Sequence, residues 1–269
     1  MTKPIIWSNG GGTQSAAIAV LISQGKLPVP ERCVMADTSR ECSQTWNYLE
    51  NYLRPLLFES AGLEVEIVPH SYSRVDLFSK PTARKPEQIL LPAWTNRGVG
   101  RLRPFCSGEW KRDAVYRWLR EPERGYGRKN PIVQWLGFSR DEIGRCKPAK
   151  QKWVEIHWPL IMNYGLTLTR KDCVQIVVNA GLPTPPKSRC WMCPHQTNAE
   201  WRELSSNYPQ EFAKAVEIDN QITEWDKRDG LYLHRSGVPL AQADLSSPDA
   251  PEHPLFGRGE DCDAGMCWI

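Results

Sequence analysis

Apolar and polar residues recur with two periods along this chain, and the switches between them mark out its elements. Residues 4–8 (PIIWS) form a short apolar run that predicts a buried strand. Three glycines separate it from an alanine-rich apolar run over 13–24, which predicts a helix stopped by Gly25. CVMAD (33–37) predicts a second strand ending at Asp37 and Thr38. Trp46, Leu49 and Leu53 share one face of the helix that follows, with Pro55 near its predicted end. LEVEIVP (63–69) alternates at period two, as a half-exposed strand does. Residues 71–105, rich in Pro, Arg and Ser, predict mostly loop, a lid over a site. Cys106 opens a helix running to about Leu119, and PIVQWLGFS (131–139) predicts a further strand. Thr169 is placed as an N-cap, with Asp172 three residues on and Gly181 as the stop. After Cys193 the pattern turns helical around 198–206 and 209–226, and an irregular tail rich in Pro, Asp and Gly follows.

Strands alternating with helices predict an α/β fold with a mostly parallel sheet flanked by helices. The expected organisation is one domain over 1–187 and a helical and irregular C-terminal extension over 188–269. Ligands of such sheets bind beyond the carboxyl ends of the strands, where Ser8–Gly12, Asp37-Thr38 and Gly137–Arg140 all fall. Consecutive glycines are costly to order. Gly10, Gly11 and Gly12 therefore suggest a backbone that approaches a ligand at a helix N-terminus. With Ser8, Thr13 and Ser15 beside them they form a candidate anion site, and phosphate is the commonest anion to fill one. On this reading Gly11→Val abolishes nucleotide binding and leaves the fold intact.

Composition narrows the class. The chain has 269 residues, 41% of them hydrophobic, enough for a sizeable core. No apolar run approaches the roughly 20 residues that span a bilayer, and MTKPIIW lacks the apolar stretch of a secretory signal. The expectation is a cytoplasmic protein with no membrane partner. Its nine cysteines are then expected to serve metal or redox chemistry rather than disulfides. Net charge is only +3, but Arg97–Lys152 holds 15 Lys and Arg against 6 Asp and Glu, which suits a polyanionic partner. Arg97, Arg101 and Arg103 are expected to flank the mouth through which that partner enters.

Five stretches, in order, carry a resemblance. SNGGGTQS (8–15) resembles the pyrophosphate loop SGGxDS of the PP-loop ATPase superfamily, with Gln14 where the family has aspartate. ADTSRECSQTW (36–46) is similar to the family's second strand and the helix after it. FCSGEWKRDAV (105–115) resembles its cysteine-then-lysine segment, and GFSRDEIGR (137–145) the reductases' GxRxxEsxxR. WPLIMNYGLTLTRKDCVQIVVNAGLP (158–183) is similar to the segment that leads to a cysteine pair. The resemblance covers roughly residues 1–195 and is strongest to the PAPS reductase-like branch, which includes phage and bacterial proteins. It implies a Rossmann-like, HUP-type fold that binds ATP or an adenylyl sulfonucleotide. It further implies that Ser8, Gly10, Gly11, Gly12, Thr13, Gln14 and Ser15 hold phosphates and that Asp37 and Thr38 lie by the adenosine. Lys111, Arg140 and Arg145 would neutralise phosphate or sulfate, the arginine fork suiting such oxyanions.

RCWMCPH (189–195) contains a C-x2-C pair and EDCDAGMCWI (260–269) a C-x4-C pair. Four thiolates so spaced suit zinc or an iron–sulfur cluster. In APS reductases a 4Fe-4S cluster is held by a tandem cysteine pair and a later C-x2-C. Cys106 stands at the place of that tandem pair, with Ser107 as its second member. Cys106, Cys190, Cys193, Cys262 and Cys267 thus compete for three or four positions. One that is left over becomes a candidate nucleophile, and three-residue ligation leaves an iron open to carry sulfide. A tail that reaches such a site would be ordered. Cys33, Cys42, Cys146 and Cys173 are expected to be structural.

Two versions of an iron–sulfur enzyme of sulfur metabolism follow. In one, ATP adenylates an oxygen of a nucleic acid (DNA or RNA) or a nucleotide, and sulfur drawn from a donor such as a cysteine desulfurase displaces AMP. In the other, a cysteine thiolate attacks the sulfur of APS or PAPS. PAPS reductases end in ECGLH, which EDCDAGMCWI matches only in an acidic residue near a terminal cysteine, so the ATP-dependent version is preferred. A third reading, a non-catalytic nucleotide- or nucleic-acid-binding protein with structural zinc, draws on Gln14.

Overall fold

Ile6 and Trp7 show how the sheet is built. Both are fully buried, yet their side chains point to opposite faces and enter two separate hydrophobic clusters. Cys33 and Met35 of the next strand join the Trp7 cluster, while Val34 and Ala36 join that of Ile6. A sheet apolar on both faces must be covered on both, which is the condition of a parallel sheet wrapped by helices. The computed structural model describes residues 2–78, 89–95, 100–102, 105–225 and 230–248.

These divide into two units. Among the described residues the first comprises 2–74 with 108–188, and the second takes 75–107 and 189–248. The C-terminal unit therefore begins one residue beyond the expected boundary and also includes the segment expected as a lid.

In the first unit β1 (Ile5–Ser8) pairs in parallel with β2 (Arg32–Ala36), and β2 with β3 (Val65–Val68). On its other side β1 pairs with β4 (Ile132–Leu136), and β4 with β5 (Val154–His157), again in parallel. The order β3-β2-β1-β4-β5 reverses direction between β1 and β4, which is the switch point of a Rossmann-like sheet. Helix α1 (Thr13–Ser23) is buried along nearly its whole length. It packs against α3 (Arg54–Ala61) and α5 (Arg170–Asn179) on the Trp7 side. Helix α4 (Asp113–Leu119) covers the other face with Val115, Tyr116, Trp118 and Leu119. The Thr169 cap forms as a full capping box with Asp172, and Gly181 follows the helix at φ 81°.

Three local expectations change. Pro55 does not end its helix. After α2 (Ser43–Tyr48) the chain widens into a π-type turn over Leu49–Leu53, and Pro55 then lies in the first turn of α3, where a proline is best tolerated. The helix expected from Cys106 likewise begins with a π-type segment, Ser107–Arg112, before α4. β5 had no counterpart in the sequence reading: VEIH is short, and its exposed Glu155 bonds Lys3 at 2.6 Å instead of packing.

The second unit carries α6 (Asn198–Asn207) and α7 (Pro209–Trp225), close to their expected bounds. Trp94–Thr95 pairs antiparallel with Gly100–Arg101 and with Leu231–Tyr232. Asp219 of α7 is buried and accepts the backbone N–H groups of Leu233 and Leu240, both at 2.6 Å, so one carboxylate ties the returning chain to the helix. Burial pushes its carboxyl above the usual range, and these two bonds oppose the shift. Among the described residues no helix is long and apolar enough to cross a membrane.

Candidate functional site

The loop Asn9–Gly12 leaves the carboxyl end of β1 at the switch point and enters α1 directly. Its first two glycine amides are occupied within the loop. The N–H of Gly10 donates to Ser15 Oγ at 2.9 Å, and that of Gly11 to Asn9 Oδ1 at 2.7 Å. Gly11 sits at φ 71°, and a Cβ there would lie 2.5 Å from Thr45 Cγ2. One on Gly12 would lie 3.1 Å from Ser188 Cβ and 3.2 Å from the Ser188 nitrogen. Gly11 is therefore demanded by the packing of the chain on itself, a reason distinct from ligand approach, and Gly12 sits tightly against Ser188. Gly12 is the N-cap of α1 and offers no side-chain bond to the first turn, so the amides of that turn keep the positive end of the dipole at the switch point.

A small pocket opens beside this loop, lined by Ser8, Asn9, Gly10, Val34, Met35, Ala36, Lys111 and Val115. Lys111 brings a cation from the π-type segment to the mouth of the glycine loop. Its Nζ lies 3.3 Å from Glu41 Oε2, and the Glu41 side chain is fully buried. Ser188 Oγ donates to the other carboxylate oxygen at 2.7 Å, with Thr45 Oγ1 at 3.4 Å. Ser8 belongs to a buried chain in which Tyr116 donates to Gln134 at 2.9 Å and Gln134 to Ser8 Oγ at 2.7 Å.

The remaining expected residues take several places. Gln14 donates to Glu142 Oε2 at 2.8 Å, and the other oxygen of Glu142 bonds Arg145. The buried Arg145 guanidinium also lies 4.5 Å from the centre of the Phe138 ring. Gln14, Glu142 and Arg145 thus lock α1 to the turn after β4, and the Arg145 charge already faces a carboxylate. Arg140 is exposed at the start of that turn, with its backbone N–H on Leu168. Thr13 is buried at the first residue of α1. Asp37 Oδ1 accepts the Ser39 N–H at 2.6 Å, and Thr38 is buried beside it.

Cys106 is half-buried, and its N–H bonds Leu90 O. Cys190 and Cys193 sit on one tight turn closed by the Cys193 N–H on the Cys190 carbonyl at 3.1 Å. Among the described residues no three His, Cys, Asp or Glu side chains form a group able to hold a metal ion. Cys262 and Cys267, with the expected ordering of the tail, lie outside the described residues, as do Arg97, Arg103 and the Arg101 side chain. The four cysteines expected to be structural are buried or half-buried. Burial pushes the Cys173 thiol up to about 12 and that of Cys146 to about 11, which leaves both protonated at neutral pH.

Glu41 is the site residue that sequence reasoning missed. Nothing in RECSQ distinguishes a fully buried carboxylate from a solvated one, and its two nearer partners, Lys111 and Ser188, lie 70 and 147 residues along the chain.

Fold and site define an α/β protein with a glycine-rich loop at the switch point of a five-stranded parallel sheet. No family model matches the chain, and no solved structure does. It is similar to a protein of Escherichia phage 186 described as an uncharacterized 37.8 kDa protein in the gpa 5' region. The two are 24% identical over 262 residues, covering 83% of this chain and 76% of the relative.

Proposed function

We propose that the sheet unit binds an adenine nucleotide and that the protein uses ATP to transfer sulfur to a nucleic acid or nucleotide. One observation carries the reading: Lys111 and the glycine loop line the same pocket at the switch point, beside the uncapped N-terminus of α1. Phosphate oxygens there would meet the first-turn amides of α1 and exchange contacts with Lys111, now held by Glu41. In the proposed reaction a substrate oxygen attacks the α-phosphate of ATP and pyrophosphate leaves. A sulfur nucleophile then displaces AMP from the activated position.

Calorimetry with ATP, APS and PAPS tests the nucleotide. ATP is expected to bind, and Lys111→Met combined with Glu41→Gln, which keeps the pocket neutral, is expected to weaken it roughly 10–100-fold, the worth of a charge-assisted hydrogen bond. A preference for APS or PAPS would move the assignment to a sulfonucleotide reductase. No binding of any of the three would remove the nucleotide reading.

Sulfur handling rests on the resemblance and on the Cys190–Cys193 turn, where two cysteine side chains leave one short loop. Protein purified without oxygen is expected to be brown and to contain iron, and Cys190→Ser and Cys193→Ser are each expected to bleach it. Cys106→Ser separates ligand from candidate nucleophile: loss of iron makes Cys106 a ligand, and retained colour with lost activity makes it the free thiol. Truncation before Asp261 distinguishes a site completed by Cys262 or Cys267 from one that is not. A colourless, zinc-loaded protein would assign the pair to a structural metal.

A further inference from the structure

The opposite end of the same sheet has a second concavity. It lies between the turn that precedes β4 and the turn that precedes β5, so it faces away from the switch point by about the length of a strand, on the order of 17 Å for five residues. Five of its lining residues are cations, namely Arg120, Arg128, Lys129, Lys150 and Lys152, and no Asp or Glu lines it. All five are exposed. Each of the paired cations described above faces a carboxylate, whereas none of these five is ion-paired among the described residues. The nearest acids along the chain are Glu121 and Glu123, outside the lining.

The floor is fixed. Tyr126 and Trp153, one on each turn, are buried in the α4-side core and anchor the loops that carry the charges. Tyr126 hydroxyl bonds Glu31 and accepts from Arg32 Nε at 3.2 Å. The Ile132 N–H donates to the Trp153 carbonyl at 2.9 Å, joining the two turns. Gly127 and Asn130 exchange backbone bonds at 3.0 and 3.1 Å across the tip of the first. The anchored turns fix the backbone from which these cations project, so binding needs little further ordering of the loops themselves.

We propose that this pocket is a docking site for the phosphodiester backbone of a nucleic acid. Several exposed cations along an open rim suit a row of phosphates and contrast with the enclosed donors of a small-ligand site. Because both aromatic rings are buried, neither offers a free face for base stacking, and the contact is sequence-independent. The proposal does not rest on the nucleotide reading, since the two concavities share no lining residue.

The test is fluorescence anisotropy of a labelled mixed-sequence DNA duplex, titrated at several salt concentrations. Lys129→Gln, Lys150→Gln and Lys152→Gln together are expected to weaken binding at least tenfold near 0.1 M salt and to lower the log–log salt slope by about 2 to 3. A matched control at Lys26, Lys171 and Lys214, exposed elsewhere, is expected to change the slope by less than about 1. Circular dichroism confirms that both variants are folded. Equal losses in the two variants would overturn the proposal, as would no binding of the wild type at low salt. Displacement of the duplex by an equal concentration of inorganic phosphate would assign the pocket to a small oxyanion, and tighter retention on anionic phospholipid vesicles would assign it to a membrane surface. Either result defeats the proposal, whatever calorimetry shows for ATP.

Discussion

Gly11→Ala is expected to lower the stability of the sheet unit by about 3 kcal/mol, the sum of a left-handed backbone penalty and local overpacking. The backbone part follows from φ 71°, which a side chain disfavours. The packing part has a single main source, Thr45 Cγ2 at 2.5 Å from the added Cβ, with Met35 Cε at 3.2 Å able to give way more easily. Thr45→Ser removes that methyl and no other heavy atom. A double-mutant cycle in urea then separates the two contributions: Gly11→Ala in the Thr45→Ser background should recover about 1–2 kcal/mol and retain the rest. A loss below about 0.5 kcal/mol for Gly11→Ala would show that the loop relaxes freely and that packing does not dictate the glycine. This expectation replaces the one drawn from sequence, in which Gly11→Val spared the fold and removed only the ligand. Nucleotide binding is therefore tested at Lys111, where the fold can be protected by a compensating change.

The legible parts of this fold are those whose signal is local. Ile5–Ser8, Arg32–Ala36 and Val65–Val68 are apolar or alternating runs bounded by turn residues, and each strand lies within two residues of its expected limits. Thr169 and Asp172 form a capping box within one turn of helix, and all the atoms involved lie within four residues. β5 was missed because an edge strand of four residues with an exposed glutamate has too few alternations to stand out. The π-type turns at Leu49–Leu53 and Ser107–Arg112 were missed because periodicity cannot distinguish a widened turn from a regular one. In the site, the glycine loop was legible as a loop, but its physical reason was not. Thr45 and Ser188 crowd Gly11 and Gly12 from segments 34 and 176 residues away, and no spacing rule connects them. Arg145 was legible as a cation near the strand end, while its commitment to Glu142 and through it to Gln14 depends on side-chain direction. That network also gives Gln14 a role: its amide donates to Glu142 where the resembled loop carries an acid, so a carboxylate at position 14 would face a second carboxylate.

Lys111→Met is expected to destabilise the sheet unit by about 3 kcal/mol, because it leaves the Glu41 carboxylate buried without its cation. The Glu41 side chain has no exposed surface, and Ser188 and Thr45 offer it hydroxyl contacts but no charge. The value stands at the low end for a broken buried pair, since 20% of the Lys111 side chain remains exposed and water screens part of the attraction. Adding Glu41→Gln removes the orphaned charge and keeps an acceptor for Ser188, so the double variant should return to within about 1 kcal/mol of the wild type. Chemical denaturation of the four proteins, followed by tryptophan fluorescence, measures the cycle. If Lys111→Met costs less than about 1 kcal/mol, or Glu41→Gln fails to rescue it, the pair does not hold the pocket wall. The same four proteins separate structure from function. Stability should track whether Glu41 is left unpaired, whereas ATP affinity should fall in both variants that lack the lysine, the rescued one included. A rescued fold that still binds ATP normally would restrict Lys111 to bracing Glu41 and leave the first-turn amides of α1 as the phosphate donors.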